Sequence, residues 1–485
     1  MKISPDPYST IDTYIEEQMR RLKIPGLAMA IVAGDQIVHQ RGFGFASPGG
    51  AAPTPQTPFM IGSLSKSITA LAILQLVEAG KVELDAPLQR YLPWFRVADP
   101  RESARMTVRH LLNQTSGLPW LLSEIALDDY ADSADATERQ VRSLANLKLK
   151  RPVGAAFEYS NFNFNILGLV IEVASGLSYP EYIEKHIFEP LNMRHSYTSR
   201  AEAVENGLAA GHRYWFGHPF PAGEMPFSRS SLPSGQLISS TEDMAHYLIP
   251  HLNGGHFNET QILSPDGISE LHKGVMDVIA FGSSIGKYGM GWFEIDLGKT
   301  KTYSHGGNVP DFSAFMALVP EQKKGLVLLL NSDPYGLPPV IEELGIGATA
   351  LLAGQEPPPD RLDFIKWFFR LLPLIPLLQI AGVAATLRRL HKWGREPGTT
   401  PSQGRLWQQH ILLPLLPNLS LAATMVYLRS SGLIRFIQLF WPDLAWIVRI
   451  CGGFAGIWAM LRTVLTLGSW RKSSRAAARK EASRR

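Results

Sequence analysis

The chain has 485 residues, 45% of them hydrophobic and 19% charged, and at roughly 150 residues per domain its length points to two or three units. Its formal charge of +4 is uneven: residues 1–387 sum to −9, 388–406 to +4, 407–470 to +3 and 471–485 to +6, so the N-terminal part has no electrostatic case for binding nucleic acid. One cysteine, Cys451, excludes an intramolecular disulfide or a cysteine metal site.

Residues 10–22 predict an amphipathic helix capped by Ser9 or Thr10. Two strand-like runs follow, Leu27–Val32 and Gln36–Phe43, split by the hairpin signal Gly34-Asp35. Residues 63–80 form a long apolar-periodic stretch that Gly80 stops, which predicts a helix. Helical patterns recur at 107–114, 164–175 and 179–188, then strand-like runs return at 289–296, 301–304, 313–319 and 325–331 before a helix near 337–353. Strands at both ends around a helical middle predict an α/β (α+β) architecture: one antiparallel sheet closed by both ends, with a helical insertion. A proline-rich linker at 354–360 (GQEPPPD) sets the expected boundary between a domain of residues 1–357 and another of 358–485.

The C-terminal part reads as membrane. Residues 364–387, 407–428 and 444–468 are each apolar and long enough to span about 30 Å of hydrocarbon. Arg449 and Arg462 inside the third must snorkel or face other helices. Prolines 373, 376, 414 and 417 in the first two spans can bend them, although passive tethering is the simpler expectation. The loop 388–406 and the tail 471–485 are both strongly basic. The positive-inside rule therefore places both in the cytoplasm and residues 1–360 outside it. Residues 1–18 show no apolar core or cleavage site, so export is expected to depend on a segment upstream, with a reverse-anchoring first span as the alternative.

The chemistry begins at Ser63-Leu64-Ser65-Lys66. The i, i+3 spacing puts both side chains on one helical face, where the lysine can accept the serine proton. The pattern also occurs at Ser284–Lys287 and Ser469–Lys472, so context must decide. Tyr159-Ser160-Asn161 is the single Tyr-x-Asn in the chain, and its tyrosine can act as general base and acid. His305-Gly306-Gly307, at the end of the run Lys301–Ser304, offers glycines that allow a substrate backbone to approach closely.

In this order and spacing the three elements resemble the β-lactamase and penicillin-binding-protein-like serine hydrolases, marked by Ser-x-x-Lys, Ser- or Tyr-x-Asn and Lys-Thr-Gly. The tyrosine version is similar to class C β-lactamases, D-aminopeptidases and related esterases, as are Phe59–Gly62 and Val108–Pro119. The resemblance covers roughly residues 10–355. It implies an antiparallel sheet with flanking helices, a helical subdomain and the active site between them. It further implies Ser63 as nucleophile, Lys66 and Tyr159 as proton carriers, and Asn161 orienting the lysine or the substrate. His305, Gly306 and Gly307 would bind substrate, and the N–H groups of Ser63 and Asn308 would form an oxyanion hole. No cofactor or metal is implied; the expected partners are a small-molecule or peptide substrate and the lipid bilayer.

The chain departs from the β-lactamase pattern at His305, where those enzymes carry lysine, and this argues against efficient penicillin hydrolysis. With Tyr303–Gly307 and Phe312-Ser313, the membrane segment also resembles the peptidases that remove acylated D-amino-acid caps from bacterial metabolites, the colibactin-maturing type among them. Three other readings compete. Gly282–Gly286 matches the Gly-x-Ser-x-Gly elbow formally but lacks a following helix. His246 and His251 lack a zinc-protease spacing and read as ordinary surface or core residues. A sensor that acylates without turning over would keep every residue named.

Overall fold

The computed structural model describes residues 7–126, 131–223, 227–280, 283–336, 338–359, 363–396 and 399–483. The chain divides into two compact units, one of Met1–Tyr214 and His218–Leu362, the other of Trp215–Gly217 and Asp363–Arg485.

The first unit is built on one eight-stranded antiparallel sheet. Its strands are β1 (Gly26–Ala33), β2 (Gln36–Gly44), β3 (Met276–Ala280), β4 (Ser283–Tyr288), β5 (Phe293–Leu297), β6 (Thr300–Val309), β7 (Phe312–Val319) and β8 (Lys324–Leu330). They lie in the order β2-β1-β8-β7-β6-β5-β4-β3, so the two ends of the unit meet where Leu27 pairs with Leu330. The principal helices of this unit are α1 (Ser9–Leu22), α2 (Ser65–Glu78), α3 (Trp120–Ile125), α4 (Asn161–Ser175), α5 (Thr241–Leu252) and α6 (Pro338–Leu352).

Strand β7 is buried along its whole length, as its unbroken apolar sequence demands of a strand covered on both faces. Ala314, Met316 and Leu318 join the main core with residues of α2, α4 and α5. Phe315 points the other way, onto Gly345 of α6. Inserted between β2 and β3, the helical region packs into the same core through Phe164, Leu167 and Ile171 of α4.

Several boundaries differ from the sequence reading. The run expected at 289–296 becomes β5 at Phe293–Leu297, because Gly291 takes a φ of +80°. Strands β3 and β4 were not anticipated: β4 is exposed along most of its length and lacks an apolar face to reveal it. The helix expected from 63 opens with a 3₁₀ turn, Gly62–Leu64. The helix expected at 179–188 is α-helical over Tyr179–Ile183 and π-helical over Glu184–Phe188. His305-Gly306-Gly307 lies within the ten-residue β6, not at a strand end.

The second unit contains helix Asp363–Leu371, α7 (Leu374–Arg395), a π-helical segment Leu406–Leu412, α8 (Leu413–Ser430), helix Leu433–Phe440 and α9 (Pro442–Ala482). Three stretches, Lys366–Arg395, Gln403–Ser430 and Pro442–Lys480, are long and apolar enough to cross a membrane. Leu378, Ile380, Leu413, Leu416, Ile457 and Val464 leave large apolar surfaces exposed along them. Small residues form the seam between α8 and α9. A Cβ on Gly452 would lie 2.7 Å from that of Met425, and one on Gly456 would lie 3.5 Å from that of Ala422, the close approach on which helix pairs in lipid depend. Both arginines of the third apolar stretch have polar partners: Arg449 reaches Gln438 and Arg462 reaches Thr386.

Candidate active site

Gly62 takes a φ of +54°, and this left-handed residue turns the chain from strand Phe59–Met60 into α2. Ser63 stands half-buried at that turn, with Lys66 one helical turn on and fully buried. The Lys66 ammonium donates to Ser63 Oγ at 3.0 Å, to Asn161 Oδ1 at 2.7 Å and to the Ser234 carbonyl at 2.6 Å. Tyr159 completes the group by donating its hydroxyl to Ser63 Oγ at 2.8 Å. A serine held by both an amine and a phenol has two routes for its proton.

Strand β6 runs beside this turn with its backbone almost in contact. A Cβ on Gly307 would lie 2.2 Å from the Ile61 carbonyl oxygen and 3.0 Å from Ser63 N, and one on Gly62 would lie 2.7 Å from Asn308 N. These approaches set the backbone of Asn308 beside that of Ser63. Strand β5 pairs with β6 only through Thr300–Ser304. Among the described strands the segment 305–309 has no ladder partner on that side.

Residues 11–350 match the beta-lactamase family. The chain belongs to this family. It is 29% identical over 349 residues to Protein flp of Staphylococcus aureus strain MW2, covering 71% of this chain and 67% of that protein. It is also 29% identical over 317 residues to penicillin-binding protein 4 of Amycolatopsis lactamdurans, covering 64% of this chain and 81% of that one. Among solved structures, the octameric penicillin-binding protein homologue from Pyrococcus abyssi matches with a TM-score of 0.62 and 30% identity, over 75% of this chain and 81% of that chain. These are the serine hydrolases of the β-lactamase and penicillin-binding-protein type, and the antiparallel sheet with its helical insertion is their fold.

In this beta-lactamase-family chain a buried acid, Glu124, stands behind Ser63 and Lys66. Asn161 opens α4 and is buried; it accepts from Lys66 and donates through Nδ2 to Glu124 Oε1 of α3 at 3.0 Å. Its amide therefore orients the lysine. Burial pulls the Lys66 ammonium well below the ordinary lysine range, while the Glu124 carboxylate pushes the other way. Burial likewise raises Glu124, opposed by Lys66 and by its hydrogen bond to Asn161. The Tyr159 phenol is driven well above its ordinary value, chiefly by burial. Of Lys66 and Tyr159, the lysine is accordingly the one that gives up its proton more readily.

His305 is only 2% exposed and lies among Tyr159, Tyr288 and Phe293, with Nε2 3.3 Å from the Tyr288 hydroxyl and Nδ1 2.6 Å from the Gly306 carbonyl oxygen. Burial, with Lys66 nearby, lowers it to about 3, so it is neutral at pH 7. The two glycines after it are also required by the packing around them. Gly307 makes room for Ile61 and Ser63. Gly306 makes room for Glu342 of α6, whose Oε1 would lie 2.2 Å from an added Cβ and which burial raises to about 7. The Asn308 side chain donates to Asp333 Oδ1 at 2.8 Å.

The competing motifs stay apart from this cluster. Ser284 is exposed on β4, hydrogen-bonded locally to Asp277 and Gly286, and Gly282 of the same pattern lies outside the described residues. Among the described residues no cluster of metal-ligating side chains exists. His251 instead is buried against His272, at 3.1 Å, beside Trp292. Sequence reasoning missed Glu124, Ser234 and Glu342. Glu124 sits in an acid-rich stretch that reads as a solvated loop, and the apolar residues before it, Trp120 and Leu122, are themselves exposed.

Proposed function

We propose that the chain is a membrane-anchored hydrolase that forms an acyl-enzyme on Ser63 with an amide or ester substrate. The observation that carries this reading is the convergence of Lys66 Nζ and Tyr159 OH on Ser63 Oγ, at 3.0 and 2.8 Å. Ser63 attacks the carbonyl carbon while its proton passes to neutral Lys66. The developing oxyanion is held by the N–H groups of Ser63 and Asn308, each donor worth about 3–4 kcal/mol of barrier. As the tetrahedral adduct collapses, Tyr159 protonates the departing amine or alcohol and is reprotonated by Lys66. Water then repeats the sequence in reverse to release the acid.

A neutral, buried His305 supplies no cation for a substrate carboxylate, which supports the peptidase or esterase branch over penicillin hydrolysis. The open edge of β6 supports a substrate with a backbone-like amide beside the scissile bond, and a D-amino-acid amide is the reading we favour. The alternative is a β-lactamase or a slow penicillin-binding sensor, favoured by the names of the relatives. Turnover of a D-alanine anilide and a p-nitrophenyl ester, set against a chromogenic cephalosporin, separates the two. We expect kcat/KM for the first pair to exceed the third by at least about tenfold. The reverse order, or stoichiometric acylation without turnover, would reassign the protein to the alternative.

The three long apolar helices support a multi-pass anchor in residues 358–485 with the hydrolase, residues 1–357, on the extracytoplasmic side. The basic segments 388–406 and 471–485 support a cytoplasmic position for both.

A further inference from the structure

In the second unit, cationic and donor groups from three segments converge without an acid. Thr386 and Arg389 stand one turn apart on α7, His410 lies on the segment Leu406–Leu412, and Arg462 is on α9. Arg389 Nη1 lies 2.8 Å from His410 Nδ1. A guanidinium only donates, so His410 accepts there and carries its ring proton on Nε2 as a further donor. Arg462 Nε donates to Thr386 Oγ1 at 3.1 Å, and Thr386 is itself buried and donates to the Gly382 carbonyl. Each arginine therefore spends one donor on a neutral partner and keeps the rest of its fork. The charges of Arg389 and Arg462 act on one another and on His410.

Among the described residues no carboxylate lies within ion-pair distance of either arginine. Two like charges gathered between helices and left without an acid cost free energy unless an anion joins them. The neighbouring side chains show the depth of the cluster. Trp393, Leu406 and Ile411 pack together with Trp470 at its side, and Trp470 Nε1 donates to the Pro401 carbonyl at 2.9 Å. Tryptophans beside the basic loop 388–406 mark a headgroup level rather than the middle of the hydrocarbon.

We propose that this unit binds a phosphate-class oxyanion between α7, the segment Leu406–Leu412 and α9. The forks of Arg389 and Arg462 and the Nε2–H of His410 would be its donors, with the headgroup of an anionic phospholipid presenting it. Guanidinium forks match phosphate oxygens two at a time, and basic pockets between helices on the positive side of a membrane recognise such headgroups. The lipid source rests on the reading of these helices as membrane spans; the oxyanion chemistry does not.

The test uses the full chain in mild detergent and follows its thermal unfolding with phosphatidylglycerol, phosphatidylcholine or inorganic phosphate added. Phosphatidylglycerol should raise the midpoint by about 3 °C or more, and phosphatidylcholine should not. Arg389→Gln/Arg462→Gln should lose the shift, whereas Arg479→Gln in the exposed tail should keep it. Fluorophosphonate labelling of each preparation shows whether it is folded. Should the double variant fail to fold, Arg462→Lys keeps the charge without the fork and should lose most of the shift. A shift with inorganic phosphate that the same variants lose would support the site and name a soluble anion as its source. A protein recovered without detergent would end the membrane reading while leaving that phosphate test intact. Equal shifts in wild type and variants, or no shift with either anion, would overturn the site.

Discussion

Glu124 reaches Lys66 through a single amide: Asn161 accepts from the lysine at 2.7 Å and donates to the carboxylate at 3.0 Å. The pair is buried, so the charge on one side chain governs the proton on the other. A carboxylate favours the protonated lysine, which is the inactive form in the proposed acylation step. Removing the negative charge while keeping an acceptor for Asn161, as in Glu124→Gln, should lower the lysine further. The acid limb of the acylation rate should then move to lower pH by about one unit. The rate of fluorophosphonate labelling between pH 5 and 9 is the measurement. A variant with less activity at every pH but an unmoved limb would show that Glu124 only shapes the site.

Gly307 has no space for a side chain, because a Cβ there would meet the Ile61 carbonyl oxygen at 2.2 Å. Gly307→Ala must push β6 away from the turn that carries Ser63 and pull the two amide donors apart. Labelling should slow by about 100-fold or more, the usual loss when one oxyanion donor goes. Gly306→Ala tests the opposite face of the strand. It should disturb Glu342 and lower the unfolding midpoint, with a smaller effect on labelling.

His251 and His272 are buried 3.1 Å apart against Trp292, and burial lowers His251 well below its ordinary value and His272 to about 3. Both stay neutral in the folded protein at a pH where the unfolded chain binds protons. Stability should therefore be full above about pH 6.5 and fall as pH drops below it, by about 1.4 kcal/mol per pH unit for each histidine. Thermal unfolding between pH 4 and 8 measures the slope, and His272→Gln should flatten it by one proton's share. An unchanged slope in that variant would place the acid sensitivity elsewhere.

The proposed topology is tested by single cysteines at Ser402 and Ser474, in a background where Cys451 is replaced by alanine, probed in intact cells with an impermeant maleimide. Both should be protected, and a cysteine at Ser199 in the first unit should react. Labelling at Ser402 or Ser474 with protection at Ser199 would invert the orientation.

The sequence announced the parts of this protein that follow from short-range rules. The hairpin at Gly34-Asp35, the apolar runs of β7 and β8, and the i, i+3 pair Ser63–Lys66 each depend on residues close together in the chain. The three apolar C-terminal stretches were legible for the same reason. Strands β3 and β4 were not: β4 is polar, exposed and interrupted by Gly286 at a φ of +138°, and the edge strand β3 is only the short run Met276–Ala280. Glu124 and Glu342 were hidden by their chemistry, since an acid in a helix reads as a solvated face until the fold shows what lies behind it. The packing role of the β6 glycines was not legible, because the groups crowding them, Ile61, Ser63 and Glu342, approach only when distant segments meet.

The central claim is that Ser63 is the nucleophile. Its most direct test is fluorophosphonate labelling of the solubilised full-length protein followed by peptide mapping, with Ser63→Ala and Ser284→Ala in parallel. Label is expected on Ser63, none on Ser63→Ala, and wild-type labelling of Ser284→Ala. Label on Ser284, or undiminished labelling and turnover by Ser63→Ala, would contradict it.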